Sequence, residues 1–331
     1  MHRPVTLFFG TLVASLVTAL SPVAQAEEIV VSNYAVSANG MPFGVALAKG
    51  YFKDEGLNIT GLISSAGGGT TLRNMLAGGG VPYGEVNPGV VVSAVLAGAD
   101  LKIVSDNVLT VAEFVWVVKP DSAIKIIKDL KGKKMGYTNP RSTSQALANM
   151  LVQSAGLKPE DVELVKTGGF GEGVAALDAG LIDITPMTEP LWSKLKGKYR
   201  AVVVASDVLP PLDNVVGVAT VEMMEKRGDF IRAVIRARRK AVQFMKEHPD
   251  EAGDIVAKQY NLEPEVARSA VRNLTTSTTK GVPYWGDGQI HLEGLKRMIE
   301  AQRSVGAITG EVDYSKLVDT RFLPDDLKAI K

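Results

Sequence analysis

Residues 67–78 read GGGTTLRNMLAG and lead, after a short apolar run, to Asn87-Pro88. The chain repeats this pattern 102 residues later: residues 169–173 read GFGEG, Ala179-Gly180 follows, and the unit ends in Glu189-Pro190. Each unit predicts a glycine turn, a helix closed by Ala-Gly, a buried strand and a proline that opens the next helix. The repeat therefore predicts two similar α/β lobes.

Strands and helices alternate along the rest of the chain, which is typical of mostly parallel sheets. The apolar run Phe114–Val118 and the rigid pair Pro210-Pro211 mark the places where we expect the chain to cross between the lobes. Open α/β sheets bind ligands at the carboxyl ends of their strands. Two lobes whose strand ends face each other are therefore expected to clamp a ligand.

Two helices outside the repeat are also predicted, a short one over Pro42–Phe52 and a long amphipathic one over Asp229–Glu247. His248 precedes Pro249 and is expected to cap the carboxyl end of the long helix. The apolar residues of that helix recur at helical spacing. We expect its opposite face to be a solvated basic surface, made of Arg232, Arg236, Arg238, Arg239 and Lys240.

The first 26 residues have the features of a secretory signal peptide. Met1–Arg3 carries a positive charge, Val5–Leu20 is almost wholly apolar, and Ala24-Gln25-Ala26 matches a small-x-small cleavage site. The alternative is an uncleaved anchor, but this apolar run is shorter than the roughly 20 residues that a membrane helix needs. We expect cleavage after Ala26 and a periplasmic mature chain of residues 27–331.

Composition excludes several classes of protein. Removal of residues 1–26 takes away Arg3, one of 37 basic residues, and none of the 36 acidic ones, so the mature chain is formally neutral and suggests no nucleic-acid partner. The chain has no cysteine, which rules out disulfides, thiolate nucleophiles and iron–sulfur clusters. His248 and His291 are not spaced as a metal-binding pair. We therefore predict no metal site and no cofactor.

Several segments together resemble a known family. They are the N-terminal signal, the two glycine-turn units, the segment YFKDEGL at 51–57 and the segment EHPDEA at 247–252. The chain resembles the periplasmic solute-binding proteins of ABC importers, in the branch that binds nitrate, sulfonates, taurine and thiamine precursors. The resemblance covers essentially the whole mature chain.

This resemblance implies the two-lobed α/β fold of type II periplasmic binding proteins, in which each lobe is a mixed sheet flanked by helices and two crossings act as hinges. Lobe 1 would comprise residues 27–108 and 213–331, and lobe 2 residues 109–212. The resemblance also implies a monomeric binding protein without catalytic residues. Its partners would be a small, anionic organic solute, such as a sulfonate, taurine or an aromatic carboxylate, and an ABC permease in the inner membrane.

Two predicted helix starts form the candidate anion site. The first is rich in glycine and hydroxyl groups, and the second follows a strand and opens the next helix. Unpaired backbone N–H groups and the helix dipole favour an anion at such starts, and an arginine can bind a carboxylate or sulfonate in a bidentate manner. Ordinary helix caps and a solvent-exposed arginine remain the alternative. The residues are Ser64, Ser65, Gly67, Gly68, Gly69, Thr70 and Thr71 in the first start, and Arg141, Ser142, Thr143 and Ser144 in the second.

Asn87 and Glu189 occupy equivalent places in the two repeats. A residue before proline is restricted to extended geometry, which is expected to point its side chain away from the following helix and toward the strand end. Glu189 could then receive an amine or a hydroxyl of the solute, which would fit a zwitterionic aminosulfonate. The alternative is local, because a carboxylate near a helix N-terminus is stabilised by the helix dipole without any ligand.

Aromatic residues would indicate an apolar solute body. Asn33 and Tyr34 follow the first strand, Phe43 flanks the same loop, and Trp285 lies in a predicted loop. Phe170 is the strongest aromatic candidate, because a large ring in a glycine turn has little core to join. Phe114 and Trp116 are instead expected to pack in the crossing strands. The full set of predicted binding residues is Asn33, Tyr34, Ser65, Gly69, Thr70, Asn87, Arg141, Ser142, Thr143, Ser144, Phe170 and Glu189.

Three other functions compete with this interpretation of the sequence. The segment GEGVAA at 171–176 matches a dinucleotide-binding pattern, but an exported protein is an unsuitable place for a nicotinamide enzyme. Enzymes of the same fold, the thiamine-pyrimidine synthases and the sulfinate desulfinases, resemble cysteine- or histidine-dependent catalysts, but this chain has no cysteine and its mature part has two scattered histidines, His248 and His291. A binding protein that serves a sensory receptor in place of a permease remains open.

Overall fold

The computed structural model describes residues 27–32, 38–65, 68–76 and 82–331. The predicted signal peptide and the candidate residues Asn33 and Tyr34 lie outside these ranges. No helix in the described part of the chain is long and apolar enough to cross a bilayer.

Thirteen strands and fourteen α-helices are present in the described ranges. The strands are β1 (Glu27–Ser32), β2 (Ile59–Ser65), β3 (Gly84–Val86), β4 (Leu101–Val108), β5 (Phe114–Val118), β6 (Lys134–Tyr137), β7 (Glu163–Lys166), β8 (Thr185–Thr188), β9 (Arg200–Val204), β10 (Val215–Thr220), β11 (Thr278–Thr279), β12 (Val282–Pro283) and β13 (Trp285–Gly288). The helices are α1 (Met41–Ala48), α2 (Tyr51–Asp54), α3 (Gly68–Leu76), α4 (Pro88–Leu96), α5 (Thr143–Ser154), α6 (Phe170–Asp178), α7 (Leu191–Leu195), α8 (Ala205–Val208), α9 (Val221–Lys226), α10 (Gly228–Glu247), α11 (Pro249–Tyr260), α12 (Pro264–Thr276), α13 (Leu292–Ser304) and α14 (Tyr314–Leu317).

The strands form two main sheets. The first sheet has the order β13-β4-β10-β3-β1-β2, and β10 runs antiparallel to both of its neighbours. The second sheet combines β8-β5-β9 with β6-β7, which are joined by a parallel bridge between Met135 and Ile184. Its order is therefore β7-β6-β8-β5-β9, and β5 runs antiparallel to β8 and β9.

The two sheets share one topology. In each, the antiparallel strand is the first strand that the chain forms after leaving the other sheet: β5 follows the crossing at 109–113, and β10 follows the crossing at 209–214. The two crossings lie side by side, because Asn214 N donates a hydrogen bond to Val108 O at 2.8 Å.

The 102-residue repeat corresponds to equivalent helices of the two sheets. Helix α3 spans Gly68–Leu76 and helix α6 spans Phe170–Asp178, the same offset. Gly180 adopts a φ of 72° directly after α6, as expected for a glycine that ends a helix. The helix that was predicted over Pro42–Phe52 is instead divided into α1 and α2, because Gly50 between them has a φ of 76°.

Helix α10 confirms the predicted apolar face and corrects the basic one. Its apolar residues are buried in the core of the first sheet, and His248 caps its carboxyl end. The basic face is an intramolecular ion-pair surface, because Arg236 and Lys240 both bind Glu55, at 2.6 and 2.7 Å. Arg238 is not solvated at all: it is buried and donates to the carbonyl oxygens of Gly286 and Asn107.

Candidate functional site

Polar side chains join the two sheets at the ends of their strands. Asn87, which follows β3, caps α4 by accepting a hydrogen bond from Gly89 N at 2.9 Å. Its amide nitrogen reaches across to Thr143 Oγ1 in α5, at 3.0 Å, and Gln302 of α13 donates to the same oxygen at 3.3 Å. The expectation that Asn87 would not start the helix is wrong, because extended geometry is also the geometry of an N-cap.

A second set of contacts joins the sheets on the side of Glu189. Glu189 Oε2 accepts a hydrogen bond from Ser193 N in α7 at 3.1 Å, which matches the local interpretation. Glu189 Oε1 accepts from Asn273 of α12 at 2.7 Å, so the same carboxyl also binds the other sheet's helices. Ser269, one turn away on α12, accepts from Ser193 Oγ at 3.0 Å and from Lys196 Nζ at 2.7 Å.

Between these contacts, the two crossings form a buried polar floor. Glu113, the last residue before β5, accepts a hydrogen bond on Oε1 from Asn214 of the other crossing. Asn214 in turn accepts from Asn87, through its backbone oxygen at 3.1 Å. The Tyr284 hydroxyl, beside Glu113, donates to Asn39 Oδ1 at 2.8 Å. A ligand that enters between the sheets would therefore meet carboxyl, amide and phenol groups at its inner end.

Burial dominates the electrostatics of this floor. It raises the pKa of Glu113 to about 8, against a smaller lowering effect of hydrogen bonds that include the one from Asn214. Burial also raises the pKa of Glu189, with partial compensation from its bonds to Asn273 and Ser193. The Tyr284 hydroxyl has a pKa well above its ordinary value, because it is buried and lies near the charge of Glu113. The floor thus contains acidic side chains, but burial disfavours their negatively charged forms.

The predicted second anion site lies at the start of α5. Ser142 is its N-cap and accepts from Gln145 N at 3.2 Å, while Ser144 is buried and bonds to Thr138 N at 2.9 Å. The Ser142 hydroxyl therefore caps the helix, whereas the Ser144 hydroxyl binds the backbone at the end of the preceding strand. Arg141 is exposed, has a φ of 64° and forms no ion pair within the described ranges.

The first predicted site is at the start of α3. Ser65 ends β2, and Gly69 and Thr70 lie in the first turn of the helix. Thr70 Oγ1 accepts a hydrogen bond from Arg73 Nη2 at 2.9 Å. Arg73 lies in the last turn of α3, is exposed and, among the described side chains, has no acidic partner; its guanidinium reaches back to the first turn through Thr70.

The aromatic candidates that the structure describes, Phe43, Phe170 and Trp285, do not form a common surface. Phe170 is the first residue of α6, not part of a turn, and its ring meets Phe114 edge-on at 6.0 Å. The argument that Phe170 lacked a core to join was therefore wrong. Phe43 is buried in the first core, and Trp285 lies buried in β13, not in a loop. Phe114 and Trp116 stack in β5, as predicted.

Comparison with known proteins places the chain in a family. A sequence profile of the family described as "NMT1/THI5 like" matches residues 37–252. The chain belongs to the NMT1/THI5-like family. The resemblance inferred from the sequence is thereby confirmed.

Two curated relatives of this NMT1/THI5-like protein are binding proteins. A putative aliphatic sulfonates-binding protein of Bacillus subtilis is 25% identical over 295 residues, which cover 87% of this chain and 85% of the relative. The riboflavin-binding protein RibY of Chloroflexus aurantiacus is 22% identical over 301 residues, which cover 86% of this chain and 82% of the relative.

The fold of the NMT1/THI5-like chain also matches solved structures. The periplasmic aliphatic sulphonate-binding protein SsuA from Escherichia coli superposes with a TM-score of 0.75 at 19% identity, over 90% of this chain and 93% of that chain. The predicted two-lobed fold of periplasmic binding proteins is therefore confirmed.

The floor of the site was missed from the sequence. Its residues Asn39, Glu113, Asn214 and Tyr284 are each more than 50 positions from the next, and no repeat or motif links them. One signal was available: Glu113 is a charged residue next to the apolar strand Phe114–Val118. Within the described ranges, no group of three or more His, Asp and Glu side chains is arranged to hold a metal ion.

Proposed function

We propose that this protein is the periplasmic solute-binding component of an ABC import system. It encloses one small organic anion between two lobes and delivers it to the permease as a monomer. Lobe 1 comprises residues 27–108 and 213–331, lobe 2 comprises residues 109–212, and the crossings between them act as hinges. Residues 1–26 direct export and are removed.

One observation carries the proposal. The carboxyl ends of β3 and β8 are linked to the opposite sheet by side-chain hydrogen bonds, from Asn87 to Thr143 and from Asn273 to Glu189. Open α/β sheets bind ligands at this edge. The crossings are the covalent links between the sheets, so a rotation about them opens the space between the strand ends and closes it again. These hydrogen bonds are contacts of the closed form.

The anionic character of the solute rests on the two helix starts. Helices α3 and α5 each begin at a strand end. Arg141 directly precedes the N-cap of α5, and Arg73, in the last turn of α3, reaches back to Thr70 in its first turn; neither has an acidic partner in the described part of the chain. Helix N-termini and free guanidinium groups both favour sulfonates and carboxylates. The Bacillus subtilis relative bears the name of a sulfonate-binding protein, which agrees with this choice.

A thermal-shift screen of residues 27–331 tests the proposal. The solutes are alkyl and aryl sulfonates, taurine, nitrate, aromatic carboxylates and pyrimidines. A solute at one hundred times its dissociation constant stabilises the protein by about 2.7 kcal/mol, or roughly 5–10 °C. We expect a sulfonate or carboxylate to give this shift. Stabilisation by neutral pyrimidines and by none of the anions would contradict the anionic assignment.

Two variants link the response to the helix starts. Arg73→Ala and Arg141→Ala together should weaken binding of the identified anion by about a hundredfold or more, since charged hydrogen bonds contribute about 1.5–3 kcal/mol each. Arg321→Ala removes an arginine that is paired with Asp319 instead, and should leave the affinity unchanged. Equal affinities in the unmodified protein, the double variant and Arg321→Ala would show that Arg73 and Arg141 do not bind the anion.

A further inference from the structure

Two buried aspartates meet where the second crossing joins the first sheet. Asp106 lies near the end of β4, and Asp213 lies in the second crossing. Their exposed fractions are 1% and 0%. Asp106 Oδ2 accepts a hydrogen bond from His291 N at 3.2 Å. Neither oxygen of Asp213 accepts a hydrogen bond from any N–H or hydroxyl group in the described part of the protein.

The two carboxyl groups are hydrogen-bonded to each other. An ionised carboxyl has no hydrogen to donate, so a bond between two carboxyls requires a proton on one of them. Burial raises the pKa of both groups, and the adjacent Asp106 raises the pKa of Asp213 further, which places the shared proton on Asp213. Loss of this proton would leave two negative charges in contact inside the protein, which is strongly unfavourable.

Helix α13 rests on this carboxyl pair and enters the cores of both sheets. Asp213 N donates to Gly294 O at 3.3 Å, and a Cβ added at Gly294 would lie 2.2 Å from Asp213 Oδ1, so the carboxyl lies against the first turn of α13. Farther along the helix, Leu295 packs in the core of the first sheet and Met298 in the core of the second. A rotation of the lobes about the crossings must therefore move α13 relative to at least one of these cores.

Nearby positive charges compensate the carboxyl pair only in part. The titratable and charged groups on the surrounding elements are Arg238 of α10, His291 and Arg297 at α13, Asp287 of β13, Glu85 of β3 and Glu113 of the first crossing. Arg238 lowers the pKa of Asp106 and Arg297 lowers that of Asp213, but neither arginine forms an ion pair with them among the described residues. Burial lowers the pKa of His291, so its ring supplies no positive charge at pH 7.

We infer that Asp106 and Asp213 make the hinge sensitive to pH: with one shared proton they hold the second crossing and α13 against β4, and without it they release them. The inference rests on the proposed function, because it takes the crossings as hinges. The lobes then open more readily as the pH rises, and a bound solute is released faster at alkaline pH.

The direction of this pH dependence follows from the proton balance. The folded hinge keeps its proton to a pH well above 3.8, the ordinary pKa of an aspartate, whereas solvated carboxyls in the opened hinge titrate near that value. Opening therefore releases one proton between these two limits, and the opening equilibrium rises by about tenfold per pH unit. Above the raised pKa no shared proton is left, and the equilibrium no longer depends on pH.

Hydrogen exchange of the mature chain without solute tests the inference. The protection of Asp213 N and Asn214 N is measured at pH 6, 7 and 8 and corrected for the intrinsic exchange rate. We expect it to fall by up to about tenfold per pH unit. Gly136 N, bonded to Ile184 O at 2.8 Å in the second sheet, is the reference for global unfolding and should stay more protected than the crossing.

Three variants identify the proton. Asp213→Asn keeps a hydrogen bond to Asp106 through its amide but has no proton to lose, so protection of its crossing should be nearly independent of pH. Glu113→Gln removes the other buried carboxyl of the crossings, whose pKa is raised to about 8, and should retain the dependence. Asp207→Asn, at an exposed position shortly before the second crossing, should behave as the unmodified protein.

A crossing whose protection does not depend on pH, or a dependence that survives in Asp213→Asn, overturns the inference. Equal protection of the crossing and Gly136 N also overturns it, because the hinge would then open only on global unfolding. If Asp213→Asn does not fold, Glu113→Gln decides: a retained dependence supports the carboxyl pair, and a lost one assigns the proton to Glu113. No solute takes part, so failure of the thermal-shift screen would overturn the proposed function and leave this result standing.

Discussion

At the scale of single residues, Glu113 and Glu189 carry the same side chain in different surroundings. Both carboxyls are buried, and burial raises the pKa of each. Glu189 has hydrogen bonds to both of its oxygens, one of them from Asn273 of the opposite lobe. Glu113 has a bond to one oxygen alone. Glu189 therefore links α7 to α12, whereas Glu113 links the two crossings through Asn214.

Replacement of Glu113 should change how stability depends on pH. A carboxyl whose pKa is raised from 4.5 to about 8 stabilises the folded protein fully below pH 4.5, and this contribution is lost as the pH rises to about 8. In Glu113→Gln, the free energy of unfolding should therefore fall less steeply between pH 5 and pH 8, by up to about 1.4 kcal/mol per pH unit. Urea unfolding at several pH values measures the slope. Parallel curves for the two proteins would contradict the raised pKa.

At the scale of elements, β5 and β10 determine how the lobes connect. Each enters its sheet antiparallel to its neighbours directly after a crossing. The central position of β10 demands close packing: a Cβ added at Gly217 would lie 2.1 Å from Tyr83 Oη and 2.2 Å from Ser105 Oγ. The two hydroxyls are hydrogen-bonded to each other at 3.1 Å and cannot both move without losing that bond.

Gly217→Ala should accordingly destabilise the protein by about 1–3 kcal/mol, the usual range for overpacking in a core. The measurement is the midpoint of urea unfolding. Gly197→Ala is the matched control, since no atom lies within 4 Å of its added Cβ, and it should leave the midpoint unchanged or slightly raised. Equal effects of the two substitutions would show that β10 can adjust its position.

At the scale of the whole molecule, the lobes are held together by side chains that a hinge motion would separate. Ser193 of α7 lies in the proposed lobe 2 and Ser269 of α12 in the proposed lobe 1, and their Oγ atoms are 3.0 Å apart. The chain has no native cysteine, so a pair introduced there would meet no competing thiol. A disulfide between these positions would lock the closed form.

The oxidised, solute-free Ser193→Cys/Ser269→Cys variant should bind the solute found in the screen at least tenfold more slowly than the unmodified protein. Reduction should restore the rate. Stopped-flow fluorescence or surface plasmon resonance measures the association, and the Ser193→Cys single variant treated with oxidant is the control. An oxidised double variant that binds at the normal rate would mean that solute enters without separation of α7 and α12.

Local patterns were sufficient to predict the units of this fold. Turn and cap chemistry depends on neighbouring residues, so the 102-residue repeat correctly indicated α3 and α6, and Pro88 opens α4 as predicted. Periodicity likewise identified the buried face of α10. The burial of Arg238 on its supposedly polar face could not be predicted, because its partners are backbone carbonyls about 50 and 130 residues away.

The candidate site likewise has a part that local sequence patterns indicated and a part that only folding brought together. The sequence indicated the helix starts with Arg141 and Ser142, and the repeat marked Asn87 and Glu189, because each of these positions follows from local chain geometry. The floor of Glu113, Asn214, Tyr284 and Asn39 was decided by folding, since it is assembled where two crossings meet a strand from near the C-terminus. Hydrogen bonds between residues distant in sequence leave no periodic trace, and burial, which sets the pKa of Glu113, exists only once the two sheets have come together.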